Sequence, residues 1–528
     1  MAEKSEVWKK YSINICLAGL FVAAFLLRVY RIGELPDILQ IDEAGIGYNA
    51  WNLANYGVDR YLNEMPIYPQ NYNGGQSPLY TYCLVLLLKL FPAAHLTPGL
   101  VRLPALFSSM LVVLCGAKLL RMLFDDGRIV LGGTALLTFC PYFIMSGRFA
   151  LDCNMMLGCG MLALTLLVRY LQKPTWPALL LCGAGFALTL YSYALSYMIL
   201  PVFLAAMALY MLYTKKISMG RIFVWACEIT VLAVPLILFV ICLLAGLPGF
   251  RFLGFHILPI AAERMEDLGQ SEFWPDLFDC IKITLTNGSY MLDAVEKYYT
   301  MYVISIPFIA IGFVWAFVDF VKSLRNRIFT YSAMFVLYAL AIVIVIGLAG
   351  SGYVYRANAI FVCYLYFCII GIRETLCFLR RYRRVFAAVL CLGYAFWTVV
   401  FLRYYFTMYS VADTYTYPNS LYFCPEREAL VRVAESSEER NVYIDSFFEE
   451  YYYFYYPVSP WEKEKTGGVT GSDEERTFCM NVDYNTPVET DSIYMVRKEN
   501  REFIGKLQNA GLPYETEEFA YYYVFTIQ

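Results

Sequence analysis

From residue 11 to residue 402 the chain keeps returning to apolar stretches long enough to cross a bilayer, joined by short polar connections. Backbone inside hydrocarbon must satisfy its own hydrogen bonds, so such stretches fold as helices. At about 20 apolar residues per crossing they number about eleven. They fall at 11–27, 103–120, 129–145, 154–171, 178–190, 197–213, 222–245, 301–320, 329–348, 357–372 and 385–402. A chain of 528 residues that is 59% hydrophobic and 16% charged has no soluble counterpart of this size. The expected fold class is a polytopic α-helical membrane protein. A net charge of −3 gives no basis for a nucleic-acid partner, because the basic residues follow topology and form no patch.

Lys4, Lys9 and Lys10 precede the first apolar stretch and favour a cytoplasmic N-terminus. Residues 79–91 are the ambiguous segment, short for a crossing and ended by Pro92. If they do not cross, the cytoplasmic connections collect Lys118, Arg121, Arg169, Lys215, Lys322, Arg373 and the basic residues beside them, while the short outer connections hold Arg148 and Arg356. A crossing at 79–91 would invert that distribution, against the preference of Lys and Arg for the cytoplasmic side. The segment is therefore expected to be a helix in the outer interface. A membrane domain over 1–402 then has a first outer loop at 29–102 and a second at 247–300, where FWPDLFDCIKITL is amphipathic.

The polar tail, 403–528, is expected outside. In it NVYIDSFF, DSIYMVRKE and AYYYVFTI read as strands and PEREALVRVAESSEE as a helix, which makes a small α/β domain with room for its own core. The sixteen cysteines show no metal-ligand spacing, and most lie in apolar runs. Cys424 and Cys479, in the tail, are the two that could pair outside the cell.

Asp42 and Glu43 open the first outer loop's polar stretch, among Tyr48, Trp51, Tyr56, Tyr61 and Tyr68. Carboxylates at a bilayer boundary lose hydration and are retained for binding, proton handling or metal coordination. Across the same outer face, SGRFALDCN carries Arg148 and Asp152 and GSGYVYRAN carries Arg356. The bland alternative is a local ion pair and a snorkelling arginine. The functional one is guanidinium groups that hold a lipid-linked phosphate at two points.

This layout, with DE in the first outer loop, SPLY opening the interfacial helix, VRLPAL leading the second span and GRFALD after the third, resembles the GT-C glycosyltransferases. Within them it is most similar to glycosyltransferase family 39, the protein mannosyltransferases and the lipid A aminoarabinose transferases. The resemblance is carried by the chain up to about residue 200. It implies that Asp42 is the catalytic carboxylate of the first loop, Glu43 its acidic neighbour and Asp152 the second carboxylate, with Arg148 and Arg356 near the donor phosphate. Where those relatives have Glu-Lys-Pro-Pro or His-Pro-Pro before the interfacial helix, this chain has Gln76, Ser77 and Pro78, and the tail lacks the β-trefoil-like insertion of eukaryotic mannosyltransferases.

The chemistry so implied is transfer of a sugar, with inversion, from a polyprenyl-phosphate donor to an extracytoplasmic acceptor. A base acts on the acceptor hydroxyl and positive charge on the departing phosphate. No cofactor is obligate; a divalent ion, if any, would lie between Asp42 and Asp152. Tyr48, Gln76, and Tyr191 and Tyr193 of YSYALSY are candidates for lining the substrate groove. The competing classes are a flippase for lipid-linked sugars and a non-enzymatic envelope anchor. Against the flippase, the acids lie outside the spans and no Gly/Pro-broken helix pair recurs as an internal repeat.

Overall fold

The computed structural model describes residues 2–71, 74–92, 95–259, 272–286, 295–350, 354–409, 423–424, 427–436, 440–445, 449–465, 478–479 and 482–528. Each expected span has a helical counterpart among them. Helix α1 (Ala2–Val29) leads into the first loop, which carries α2 (Ile41–Tyr56) and α3 (Pro78–Leu90). There follow α4 (Leu103–Leu123), α5 (Gly127–Phe139), α6 (Asp152–Gln172), α7 (Trp176–Leu190), α8 (Ser196–Tyr213), α9 (Met219–Leu232) and α10 (Val234–Ala245). After α11 (Phe273–Thr286), the amphipathic helix of the second loop, come α12 (Ile306–Asn326), α13 (Tyr331–Ala349), α14 (Ile360–Phe378) and α15 (Arg383–Thr407).

Among the described residues, 8 helices are long and apolar enough to cross a membrane alone. Two more spans are bent pairs: α5 with Pro141–Arg148 turns by 61°, and α9 with α10 by 68°. The shorter apolar α7 answers to the remaining expected span. At 13 residues, α3 is about 20 Å long, too short for a hydrocarbon layer of about 30 Å.

Each bend has a proline just past the break, Pro141 or Pro235, whose missing N–H cannot continue the helical ladder. Side chains from elsewhere take up the released carbonyls. Arg28 of α1, fully buried, donates through Nη2 to the oxygens of Leu137 (2.9 Å) and Phe143 (2.7 Å). The Tyr191 hydroxyl donates to the oxygen of Leu232 at 2.8 Å. Helices α12 and α14 touch backbone to backbone at Gly312 and Gly371, where a Cβ on either would overlap a carbonyl of the other helix. Small residues at crossings are what membrane helices need, since lipid gives no hydrophobic force to press them together.

In the two outer loops β2 (Gln70–Asn71) pairs with β3 (Gly74–Gly75) and β4 (Phe250–Phe252) with β5 (Phe255–Ile257). The expected strands of the tail form as β7 (Asn441–Ile444), β9 (Ser492–Arg497) and β11 (Tyr522–Ile527), and the expected helix as α16 (Arg427–Ser436). With β8 (Phe478–Cys479) and the exposed edge β10 (Tyr514–Glu518) they make a sheet of order β10-β11-β9-β7-β8, flanked by α18 (Arg501–Asn509). Strand β7 runs parallel to β8 and β9, and β11 is antiparallel to both its neighbours. Helix α15 continues past the boundary expected at 402, to Thr407. Cys479 is a free thiol, and the side chain of Cys424 lies outside the described residues.

The tail has a core of its own, where Tyr443, Tyr494, Phe503, Leu507, Phe525 and Ile527 are buried together, and it shares a second core with the first loop. In the first loop, β1 (Leu39–Gln40) pairs antiparallel with β6 (Phe423–Cys424). Helix α17 (Glu449–Tyr455) lays its aromatic face on α2, where Gly47 has no Cβ to obstruct the Phe454 ring. Ala44, Tyr48 and Leu53 of α2 share one buried cluster with Leu430, Phe454, Ile493 and Val524 of the tail. The first loop and the C-terminal domain thus form one layer over the helices.

Candidate active site

Gln40 ends β1 and caps α2. Its Oε1 accepts from the Asp42 N–H (2.6 Å), and its own N–H donates to Glu43 Oε2 (3.2 Å), a reciprocal capping box. This fixes the start of α2 and sets the Asp42 carboxylate at the positive end of the helix dipole.

Asp152 opens α6. Its Oδ1 accepts from the N–H of Cys153 (2.8 Å), and its Oδ2 from the N–H of Ser77 (2.9 Å), the residue that precedes α3. Two helix N-termini therefore meet at one carboxylate. On the other side of Ser77, the Gln76 amide donates from Nε2 to the Asp42 backbone oxygen at 3.5 Å, and Asn71 Nδ2 donates to Asp42 Oδ1 at 3.3 Å. Asp42 and Asp152, 110 positions apart in sequence, thus flank the dipeptide Gln76–Ser77.

Among the described residues, Gln76 Oε1, Ser77 Oγ and the Tyr197 hydroxyl are buried without a hydrogen-bond partner. Buried polar atoms are nearly always satisfied, and exceptions gathered at one place mark where a ligand's polar groups fit. Tyr197 lies within electrostatic reach of Asp152.

A third wall comes from the 3-10 turn Val354–Ala357. The Arg356 guanidinium sits 5.8 Å from the centre of the Tyr355 ring. Burial pushes the Tyr355 phenol up to about 12, against the opposing pull of Arg356, with the Asp42 charge adding to the rise. Tyr193, in the turn between α7 and α8, is pushed well above the ordinary tyrosine range, chiefly by burial; Arg356 and Asp152 both act on it. Tyr355 and Tyr193 are therefore neutral phenols at physiological pH. The site joins two carboxylates, one guanidinium and neutral hydroxyl and amide groups.

Four sequence-predicted residues stand elsewhere. Glu43 is fully buried, and both its oxygens are taken. Oε1 accepts from Arg102 Nε (2.8 Å) and the Ala150 N–H (2.9 Å), and Oε2 from Arg102 Nη2 (3.0 Å) and Gln40. Arg148 uses all five of its N–H groups away from the site. They go to the carbonyls of Leu27, Arg28, Arg31 and Leu35 at 2.9–3.2 Å and to the Tyr405 hydroxyl at 3.2 Å. It closes the C-terminal end of α1, whose last carbonyls lack helical partners, and makes no pair with Asp152.

Tyr48 is stacked on Tyr453 and donates to the Val458 oxygen (3.0 Å), so it anchors the C-terminal domain. The Tyr191 hydroxyl is turned to the bend between α9 and α10. Sequence reasoning missed Ser77, Asn71 and Tyr355. It passed over Arg102 in VRLPAL, although a cation heading an apolar run is a signal for a buried counter-ion.

For a divalent cation, Asp42, Asp152 and the Gln76 oxygen make a sparse donor set. No group of three His, Cys, Asp or Glu side chains converges among the described residues.

No protein-family model and no curated protein sequence matches the chain. Solved structures do. ArnT from Cupriavidus metallidurans bound to undecaprenyl phosphate is similar with a TM-score of 0.58 and 12% identity, over 98% of this chain and 97% of that one. Its apo state gives 0.53, again at 12% identity, over 98% of each chain. The Archaeoglobus fulgidus oligosaccharyltransferase in complex with Zn and sulfate gives 0.54 at 16% identity, over 90% of this chain and 59% of that one. At such identities the likeness is one of fold. The chain is a multi-span membrane protein that shares the fold of these structures, with a small C-terminal domain that contains a β-sheet.

Proposed function

We propose that this chain is an integral-membrane glycosyltransferase that moves a sugar from a polyprenyl-phosphate donor to a hydroxyl of an extracytoplasmic acceptor. The supporting observation is that Asp42 and Asp152 flank Gln76–Ser77 and its orphaned polar atoms, with Arg356 close by. The fold is that of a protein solved with undecaprenyl phosphate.

Asp42 accepts the proton of the acceptor hydroxyl as that oxygen bonds to the anomeric carbon. The bond from that carbon to the phosphate oxygen breaks, and its electron pair leaves with the polyprenyl phosphate, whose charge Arg356 holds. Asp152 orients the acceptor. One carboxylate acting on the acceptor side gives a single displacement, and so inversion. No obligate cofactor is assigned. The N-terminus is cytoplasmic and the site and C-terminal domain lie outside, an orientation that rests on the Lys and Arg distribution.

The test uses purified protein in liposomes with a polyprenyl phosphate carrying a radiolabelled sugar, and an envelope extract as acceptor. Label should leave the lipid and polyprenyl phosphate should accumulate. Label that crosses the bilayer while still attached to its lipid would instead identify a transporter.

A further inference from the structure

The C-terminal domain reaches Asp42 through a line of polar contacts. Glu450, on α17, lies 3.2 Å from Arg60 Nη2, and the same nitrogen donates to Asn71 Oδ1 at 2.8 Å. Asn71 Nδ2 then donates to Asp42 Oδ1 at 3.3 Å. Arg60, Asn71 and Glu450 are all at most 5% exposed. A guanidinium so buried requires a counter-charge, and Glu450 supplies it from the other end of the chain.

The ion pair also decides how Asn71 is turned. Arginine can only donate, so the amide oxygen of Asn71 must face Arg60 and its NH2 must face Asp42. Gly45 makes room for this, because a Cβ there would overlap the Asn71 amide.

We propose that Glu450, Arg60 and Asn71 are positioning residues for Asp42, so that the C-terminal domain is a working part of the transferase site. The proposal rests on the reading of Asp42 as base. An amide N–H on Oδ1 favours the charged, proton-accepting form and, with the Gln40 Nε2 that donates to Oδ2 at 3.4 Å, fixes the plane of the carboxylate.

The test is the pH profile of kcat/KM for sugar transfer by the full-length protein in liposomes. Charged and titratable neighbours of Asp42 are Tyr355 and Arg356 on one side, Asp152 across Gln76–Ser77, and Glu43, neutralised by Arg102. Asn71→Ala alters none of them. It should move the acid limb upward by about one to two pH units, the equivalent of a lost hydrogen bond to a charged group. Glu450→Gln leaves the Arg60 charge uncompensated behind Asn71, so it should move the limb downward, and the double variant should fall between the two single variants. Gly45→Ala, which displaces Asn71 and leaves the ion pair intact, provides the same readout as Asn71→Ala if Glu450→Gln does not fold. An acid limb unmoved in active Asn71→Ala and Gly45→Ala proteins overturns the proposal. Absence of transfer by the unmodified protein overturns instead the reading on which it rests.

Discussion

Glu43 and Arg102 form a fully buried two-point ion pair, with nitrogen–oxygen distances of 2.8 and 3.0 Å, one residue away from Asp42. The remaining donors of Arg102 bind the carbonyls of Ile32, Pro36 and Ile38 at 2.9–3.0 Å. The pair therefore holds the whole approach from α1 to α2. Two adjacent acids are divided between two tasks because successive positions on a helix do not face the same way. Glu43 fixes the frame and Asp42 faces the site.

Glu43→Gln should accordingly act on stability. It leaves a buried guanidinium without its counter-charge, a loss of about 3–5 kcal/mol. Thermal unfolding in detergent should shift down, while the fraction that remains folded should turn over at near the parent rate. A folded variant with a collapsed kcat and unchanged stability would return Glu43 to the reaction centre.

The two arginines of the outer connections should separate just as clearly. Arg356→Ala removes a charge-assisted contact worth about 1.5–3 kcal/mol, so the KM for donor should rise about 10- to 100-fold. Arg356→Lys should recover part of this, since an ammonium lacks the planar fork. Arg148→Ala should leave donor dependence alone and lower stability, because it strips the carbonyls of Leu27, Arg28, Arg31 and Leu35 of their donor. Equal donor effects from both would mean that neither arginine is specific to the phosphate.

What was legible in the sequence follows from how local its causes are. Hydrocarbon imposes a length and a composition on each span, so the helices could be read from the residues. That Asp42 and Asp152 belong to one outer face was legible because both stand next to apolar runs; that they meet at Gln76–Ser77 was not. Arg148 was misread because an arginine at a membrane boundary can hold a phosphate or close a helix end. The helix end it closes lies about 120 residues earlier in the chain. Tyr355 could not be singled out, being one tyrosine among 46. The joint core of α2 and α17 depends on a contact between residues 47 and 454 that no periodicity encodes.

Orientation can be read with reporters that are active only outside the cytoplasm. A phosphatase-type fusion after Asp126, between α4 and α5, should be inactive, and one after Ser436, at the end of α16, should be active. Activity after Asp126 would put that connection on the outer side and require residues 79–91 to cross, although α3 has only 13 residues. The Lys and Arg distribution would then be inverted against the usual preference.

Asp42→Asn is the most demanding prediction. Asparagine keeps the size and one acceptor oxygen, so the α2 cap, the Glu43–Arg102 pair and the core shared with α17 should all persist and stability should barely change. The proton acceptor is lost, and turnover with donor and acceptor saturating should fall by about 10²–10⁴, the range for a missing general base. Asp152→Asn should fall by less. Its oxygens accept from the N–H groups of Ser77 and Cys153, and an asparagine oxygen can keep one of those bonds while it orients the acceptor less well. The ordering separates a base from a second, orienting carboxylate. If Asp152→Asn were the more damaging of the two, proton transfer would belong to the carboxylate at the start of α6, and Asp42 would become the residue that binds the acceptor.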